Sequence, residues 1–288
     1  MPRYGRPVLE RSLGLSDHAR DAIAALESRC TEVDGGRLKL EWGVLARRDP
    51  SVVNDLLWWE GNTLVGFCGR YAFGSEVPEA TGMVDPAHRG HGIGTAMLGA
   101  LRTLCAARGD TRFLLVTSRT CPAARSLAER FDGTFDHAEH ALVLTALRGE
   151  GRMDPGITLR RATPEDAQAV HALHEAGFGR SSGPPIEDDP SGATLVAERD
   201  GRVIATMRLA FDPASRGIYG FVVDPALRGR GIGRDLLRRV CDDALAGGAT
   251  HVHLEVSTDN DHALGLYTSV GFEVRATEDY YEIPVSAG

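Results

Sequence analysis

One eleven-residue phrase occurs twice in this chain. Val84–Gly94 reads VDPAHRGHGIG and Val223–Gly233 reads VDPALRGRGIG, identical at nine of eleven positions. The copies start 139 positions apart. A repeat of that length is one domain long, so it implies a duplicated domain rather than a solenoid of short repeats. The 288 residues then divide into two halves, each large enough to bury a core without disulfides or metal.

The phrase itself is a glycine-rich turn with an arginine, set between a strand and a helix. In the second copy Gly229, Gly231 and Gly233 alternate with Arg230 and Ile232. Glycine lets backbone N–H groups face a ligand with no Cβ in the way. The helix start adds unpaired donors and the positive end of the helix dipole. Together these favour a phosphate or pyrophosphate, and Arg228, Arg230 and Arg234 add positive charge. In the first copy Val84, Arg89, Gly90, His91, Gly92, Ile93, Gly94 and Thr95 occupy the same places. The bland alternative, an ordinary strand-to-helix turn, has to hold twice with the same flanking Val-Asp-Pro. Neither copy has the Gly-Lys-Ser/Thr of a Walker A loop, and Gly231–Leu236 lacks the last glycine of a dinucleotide fingerprint.

Composition narrows the setting. Apolar residues make up 42% and charged residues 25%, the balance of a soluble globular protein. No apolar run approaches the ~18 residues of a membrane span, and the start, MPRYGRPVLERS, has no apolar signal-peptide core. The five cysteines form no CxxC pair, which suits a reducing compartment, so a cytoplasmic location is expected. A net charge of −8 disfavours nucleic acid as a partner. His171/His174 and His251/His253 have no evident third ligand, so no metal is expected.

The pattern predicts mixed α/β sheets with flanking helices. In the first half a helix is expected over Asp17–Cys30, a hairpin over Leu57–Cys68, a strand over Ala80–Val84 and another over Arg112–Thr117. Residues 148–156 read as the linker, which gives domains over 1–148 and 157–288 with a linker over 149–156. In the second half Thr163 caps a helix with Pro164 at its first position. A hairpin over Ala193–Leu209, a strand over Gly217–Val223, a strand over His251–Val256, a helix over Asn260–Val270 and a closing strand from Phe272 follow. The acidic loop Glu187-Asp188-Asp189 reads as a solvated turn.

These residues resemble a known family. Arg-x-x-Gly-x-Gly after a strand ending in Val-Asp-Pro is similar to the acyl-CoA signature of the GNAT acyltransferase superfamily, here Arg228, Gly231, Gly233 and again Arg89, Gly92, Gly94. A second element, Asn260, Ala263, Tyr267, Gly271, Phe272, resembles the family's Asn-x-x-Ala-x-x-x-Tyr-x-x-x-Gly-Phe. The arrangement resembles the tandem, mycothiol synthase-like branch. The resemblance implies two GNAT-like domains, acetyl-CoA as cosubstrate and a small-molecule or peptide amine as acceptor, in a monomer (its own pseudo-dimer) or a homodimer.

At the constant offset Tyr267 falls on Ala128 and Asn260 on Cys121, while the closing Gly-Phe is displaced to Gly133-Thr134-Phe135. The expectation is therefore a catalytic C-terminal half and a degenerate, non-catalytic N-terminal half. The resemblance implies that backbone groups of Phe221, Val222 and Val223 pair with the pantetheine, that Asn260 and the turn hold the cofactor, and that Tyr267 donates a proton to the leaving thiolate. The family's glutamate early in that strand is absent from Arg216–Gly220. Glu255 on the next strand is the nearest candidate base, with Tyr219, His253 or a water chain as alternatives. A non-catalytic acyl-CoA-binding module is the rival reading, which the missing glutamate favours and the Asn260/Tyr267 register opposes.

Overall fold

The computed structural model describes residues 7–73, 77–149, 154–179, 186, 191–212 and 214–285. In chain order the elements are β1 (Val8–Leu13), α1 (Asp17–Asp34), α2 (Trp42–Leu45), β2 (Val53–Glu60), β3 (Thr63–Tyr71), β4 (Glu79–Val84), α3 (Ile93–Ala107), β5 (Arg112–Ser118), α4 (Pro122–Arg130) and β6 (Thr134–Leu144). They continue with β7 (Thr158–Arg161), α5 (Ala167–Phe178), β8 (Gly192–Arg199), β9 (Arg202–Phe211), β10 (Ser215–Val223), α6 (Ile232–Ala246), β11 (His251–Ser257), α7 (Asp261–Val270) and β12 (Phe272–Pro284). No described helix is long and apolar enough to cross a membrane.

The chain forms two compact units, Met1–Ala138 with Ala276–Gly288, and Glu139–Arg275. The first has strand order β1-β2-β3-β4-β5-β12, antiparallel except for the parallel pair β4/β5. The second repeats it as β7-β8-β9-β10-β11-β6, with β10/β11 parallel. The closing strand of each sheet comes from the other half of the sequence. Glu278–Pro284 pair with β5, and Glu139–Val143 pair with β11. Residues 139–148 and 276–288 thus belong to the opposite unit from the one a cut at 148 gives them. The reason is that a strand's partner is set by which sheet edge its pattern fits, not by local sequence. Of the expected linker, 150–153 lie outside the described residues, as does the Glu187–Asp189 loop.

Local sequence explains the helices. Ser16 caps α1 by accepting the Ala19 N–H, and Ala19, Ile23, Leu26 and Cys30 recur at helical spacing to make its buried face. Thr163 and Asp166 form a capping box at the start of α5. Ile93, Met97, Leu98 and Leu101 of α3 pack on the first sheet with Phe113 and Ile283, while α1 covers the other face through Phe67 and Leu57. Ile232, Leu236, Leu237 and Val240 of α6 do the same in the second unit with Val252, Leu254 and Phe272. Each fully buried leucine or isoleucine contributes about 2 kcal/mol from area removed from water.

One buried group sets a pH dependence. Asp55 on β2 is fully buried and accepts a 2.8 Å bond from Arg48 Nη2. Burial pushes its carboxyl up to about 6, against the pull of Arg48. The folded protein therefore holds this proton more tightly than the unfolded chain. The resulting stabilisation is complete below the unfolded value near 3.8 and is lost as pH rises through about 6. Denaturant unfolding should show the wild type gaining about 1 kcal/mol over Asp55→Asn on going from about pH 7.5 to about pH 5. Parallel pH profiles of the two proteins would contradict this.

Candidate active site

Both repeated turns are built alike, and each residue has a mechanical job. Asp85 and Asp224 accept the N–H of Ala87 and Ala226 at 3.0 and 2.9 Å, and Pro86 and Pro225 follow them at the first position of a short 3-10 turn. The signature arginine then clamps the turn. Arg89 Nε donates to the Val84 carbonyl at 3.0 Å, and Arg228 Nε to the Val223 carbonyl at 3.2 Å. Gly92 and Gly231 cap α3 and α6 in the left-handed region, with φ +84° and +83°. A Cβ on either would meet no atom within 4 Å, so the space over the turn is open. The first intrahelical bonds run from Ala96 and Asp235, leaving the N–H groups of Ile93, Gly94, Thr95 and of Ile232, Gly233, Arg234 free for a ligand.

The charge around the two turns differs. Arg89 gives two further bonds to Asp34, each 2.7 Å. Arg228 keeps no carboxylate partner among the described residues. Arg230 has its counterpart in His91, Arg234 in Thr95, Arg238 in Gly99 and Arg239 in Ala100. Arg234 bonds to Ser269, and Arg238 to the Arg148 carbonyl.

The strands behind the turns differ more. β4 pairs with β3 in unbroken register from Tyr71↔Glu79 to Gly66↔Val84. In β10 the register with β9 shifts between Tyr219 and Val222, where Gly220 sits at φ +55°. This bulge re-aims the strand. Pairing of β10 with β11 runs only from Ser215↔His251 to Ile218↔Leu254. Beyond it Phe221, Val222 and Val223 border a gap whose other edge is Glu255–Ser257. A Cβ at Gly220 would lie 2.9 Å from His174 of α5, so glycine is needed for space as well as for φ.

Tyr267 reaches the core on the α6/α7 face and meets Phe272 edge-on. Its hydroxyl has no hydrogen-bond partner among the described residues, and burial pushes its pKa up to about 12. Asn260 Oδ1 accepts the Ala263 N–H at 3.1 Å and caps α7. Gly271 ends α7 at φ +117°, with the Ala146 carbonyl 1.8 Å from where a Cβ would stand. In the first unit Asp132 takes the left-handed position (φ +59°) and Gly133 the crowded one, which explains the displaced motif.

Glu255 is on the opposite face from Tyr267. On β11, Val252, Leu254 and Val256 enter the core, so His253 and Glu255 alternate to the α5 side. Tyr219 Oη lies 3.4 Å from His253 Nε2 on that side. The two nominated catalytic residues therefore flank the sheet, one on each side of the β10/β11 gap. His174 is buried beside the bulge with its pKa lowered by burial and then by His171, a placement that sequence spacing did not indicate.

The comparisons agree with this geometry. The sequence pattern of the acetyltransferase (GNAT) family matches residues 19–133 and again 160–272. The chain is 30% identical to a mycothiol acetyltransferase of Streptomyces coelicolor, over 97% of this chain and 96% of that protein. Over 98 residues, 32% of this chain and 55% of the relative, it is 50% identical to the N-alpha-acetyltransferase RimI of Mycobacterium tuberculosis. Its fold is similar to the crystal structure of a GCN5-related N-acetyltransferase from Sphaerobacter thermophilus, with TM-score 0.78 at 20% identity, covering 100% of this chain and 98% of that one. A clamped phosphate-type turn in duplicate, a splayed parallel strand pair behind it and a family match over both halves lead to one conclusion: the chain belongs to the GNAT acetyltransferase family and is an acyltransferase with that domain twice in tandem.

Proposed function

We propose that this enzyme moves the acetyl group of acetyl-CoA to a primary amine of a small molecule or peptide, and that transfer takes place in the unit 139–275. The bulge at Gly220 carries this reading. It re-aims the end of β10 in the unit that carries Tyr267, whereas the first unit has an unbroken β4 and Ala128 in place of the tyrosine.

Acetyl-CoA supplies an acetyl group already activated as a thioester. The free N–H groups at the start of α6, with Arg228, Arg230 and Arg234, would hold its phosphates. The edge Phe221–Val223 would take the amide-bearing arm, and an N–H of the bulged strand would hold the negative charge that develops on the acyl oxygen. Tyr267, with a pKa pushed up to about 12, keeps its proton at neutral pH and gives it to the departing sulfur. Glu255, with Tyr219 and His253 on the same face, takes the proton of the attacking amine. The first unit does no chemistry.

Relatives over nearly the full length are named for mycothiol, so the acceptor used by mycothiol acetyltransferases is the first amine to try, and a peptide α-amine the second. Glu255→Gln should lower kcat/KM about 30-fold near neutral pH, within the usual range for losing a general base. The remaining rate should rise with pH in proportion to the amine already neutral. An unchanged pH profile would assign proton removal to Tyr219, His253 or water.

A further inference from the structure

Lys39 is the one lysine in the 288 residues; every other member of the set of 32 lysines and arginines is an arginine. A chain that otherwise meets its need for cations with arginine keeps a primary amine at one place, and that place is buried. The Lys39 side chain is 9% exposed. Gly35 and Gly36, left-handed at φ +67° and +72°, turn the chain after α1. In the segment that follows, Leu38 and Leu40 pack into the core with α1, while Arg37 and Lys39 face β12. Lys39 Nζ donates to Tyr280 Oη at 2.6 Å and lies 3.4 Å from the carboxylate of Glu79, the first residue of β4. Tyr280 is fully buried, with His137 stacked on its ring at 4.1 Å. Beside it Arg37 pairs with the fully buried Glu278.

The corresponding place in the second unit is the one beside Glu255. β5 and β11 match at the 139-residue offset, since Phe113 and Leu115 enter one core as Val252 and Leu254 enter the other. Val116 therefore stands for Glu255, on the face turned away from that core. Val116 pairs directly with Tyr280, the residue that holds the Lys39 ammonium, and opposed residues share a face. The face that offers a base in the second unit thus carries, in the first, a valine and a built-in primary amine. An arginine would supply the same charge in another shape. An ammonium is a compact point charge on an unbranched stem, and it is the head group of a primary-amine acceptor.

We propose that Lys39 is an internal acceptor mimic: its ammonium fills, in the first unit, the place of an acceptor's primary amine and keeps free amines out of it. The proposal rests on the reading that the acceptor amine meets Glu255 in the second unit, and the pH profile of Glu255→Gln tests that reading separately. As an ammonium held by Glu79 and Tyr280, Lys39 has no lone pair with which to attack a thioester. It blocks the place without being consumed.

The test is thermal unfolding of the full chain carrying Lys39→Ala, with and without n-propylammonium, the fragment that the substitution removes. Taking the ammonium from Glu79 and Tyr280 should lower Tm by about 5 °C or more. About 100 mM n-propylammonium chloride should return at least about half of that loss, while tetramethylammonium chloride at the same concentration returns none. Neither salt should shift the wild type, whose place is filled. Recovery no greater with n-propylammonium than with tetramethylammonium, or an equal shift of the wild type by n-propylammonium, would overturn the proposal. Should Lys39→Ala not fold, acetic anhydride decides on the wild type, where a single lysine makes the peptide masses unambiguous. Lys39 should be acetylated about 100-fold more slowly in the folded chain than in denaturant. Equal rates would reveal an amine open to reagents and contradict the proposal.

Discussion

Tyr267→Phe should lower kcat for acetyl transfer about 100-fold at neutral pH and leave acetyl-CoA affinity within about threefold. The substitution removes one hydroxyl and no packing. The ring keeps its place among Leu254, Val256 and Ile232 and its edge contact with Phe272. The hydroxyl has no hydrogen-bond partner among the described residues to orphan, so the fold keeps its stability. In the proposed mechanism what is lost is the proton donor, a phenol that stays protonated near pH 7 because burial pushes its pKa up to about 12. A donor used only as the carbon–sulfur bond breaks stabilises the transition state and not the ground state, so the effect falls on kcat rather than on binding. Steady-state kinetics with varied acetyl-CoA would show it. An unchanged kcat would remove Tyr267 from the reaction.

Gly220→Val should cost still more, and for a reason seated in the backbone. At φ +55° a β-branched residue is a genuine outlier, and the left-handed conformation costs a non-glycine residue roughly 1–2 kcal/mol. The new side chain would also enter the space 2.9 Å from His174. The strain is relieved if β10 returns to regular register with β9, which would re-aim the backbone groups of Phe221–Val223. Activity should fall about 1000-fold or more, while the first unit, whose β4 has no bulge, unfolds as in the wild type. Wild-type turnover with Gly220→Val would show that the bulge has no part in catalysis.

Much of the site is legible in the chain because its elements are local. The turn needs left-handed glycines at Gly92 and Gly231, and the sequence shows them. α7 carries its cap Asn260, its tyrosine and its terminal Gly271 within one helix and its ends. What stays hidden is non-local. β6 and β12 are long strands whose partners lie across the chain, and no local pattern names the edge they choose. The pairs Arg37–Glu278 and Lys39–Tyr280 span 241 positions and follow from that exchange alone. The place of His174 was equally hidden, since its approach to Gly220 depends on how α5 packs across β10. The clamp by Arg89 and Arg228 was unexpected for a different reason. An arginine in a glycine turn reads as a phosphate ligand, yet its Nε is used to hold the turn's own carbonyl.

The claim that matters most is that acetyl transfer occurs in the unit 139–275. The most direct measurement is release of the CoA thiol by Gly231→Val in the presence of an accepting amine, with circular dichroism to establish that the variant is folded. A valine at φ +83° would place its side chain in the open space over the turn, where the phosphates are expected. The account predicts turnover at background. A folded Gly231→Val enzyme that acetylates at the wild-type rate would place the chemistry in the other unit and contradict it.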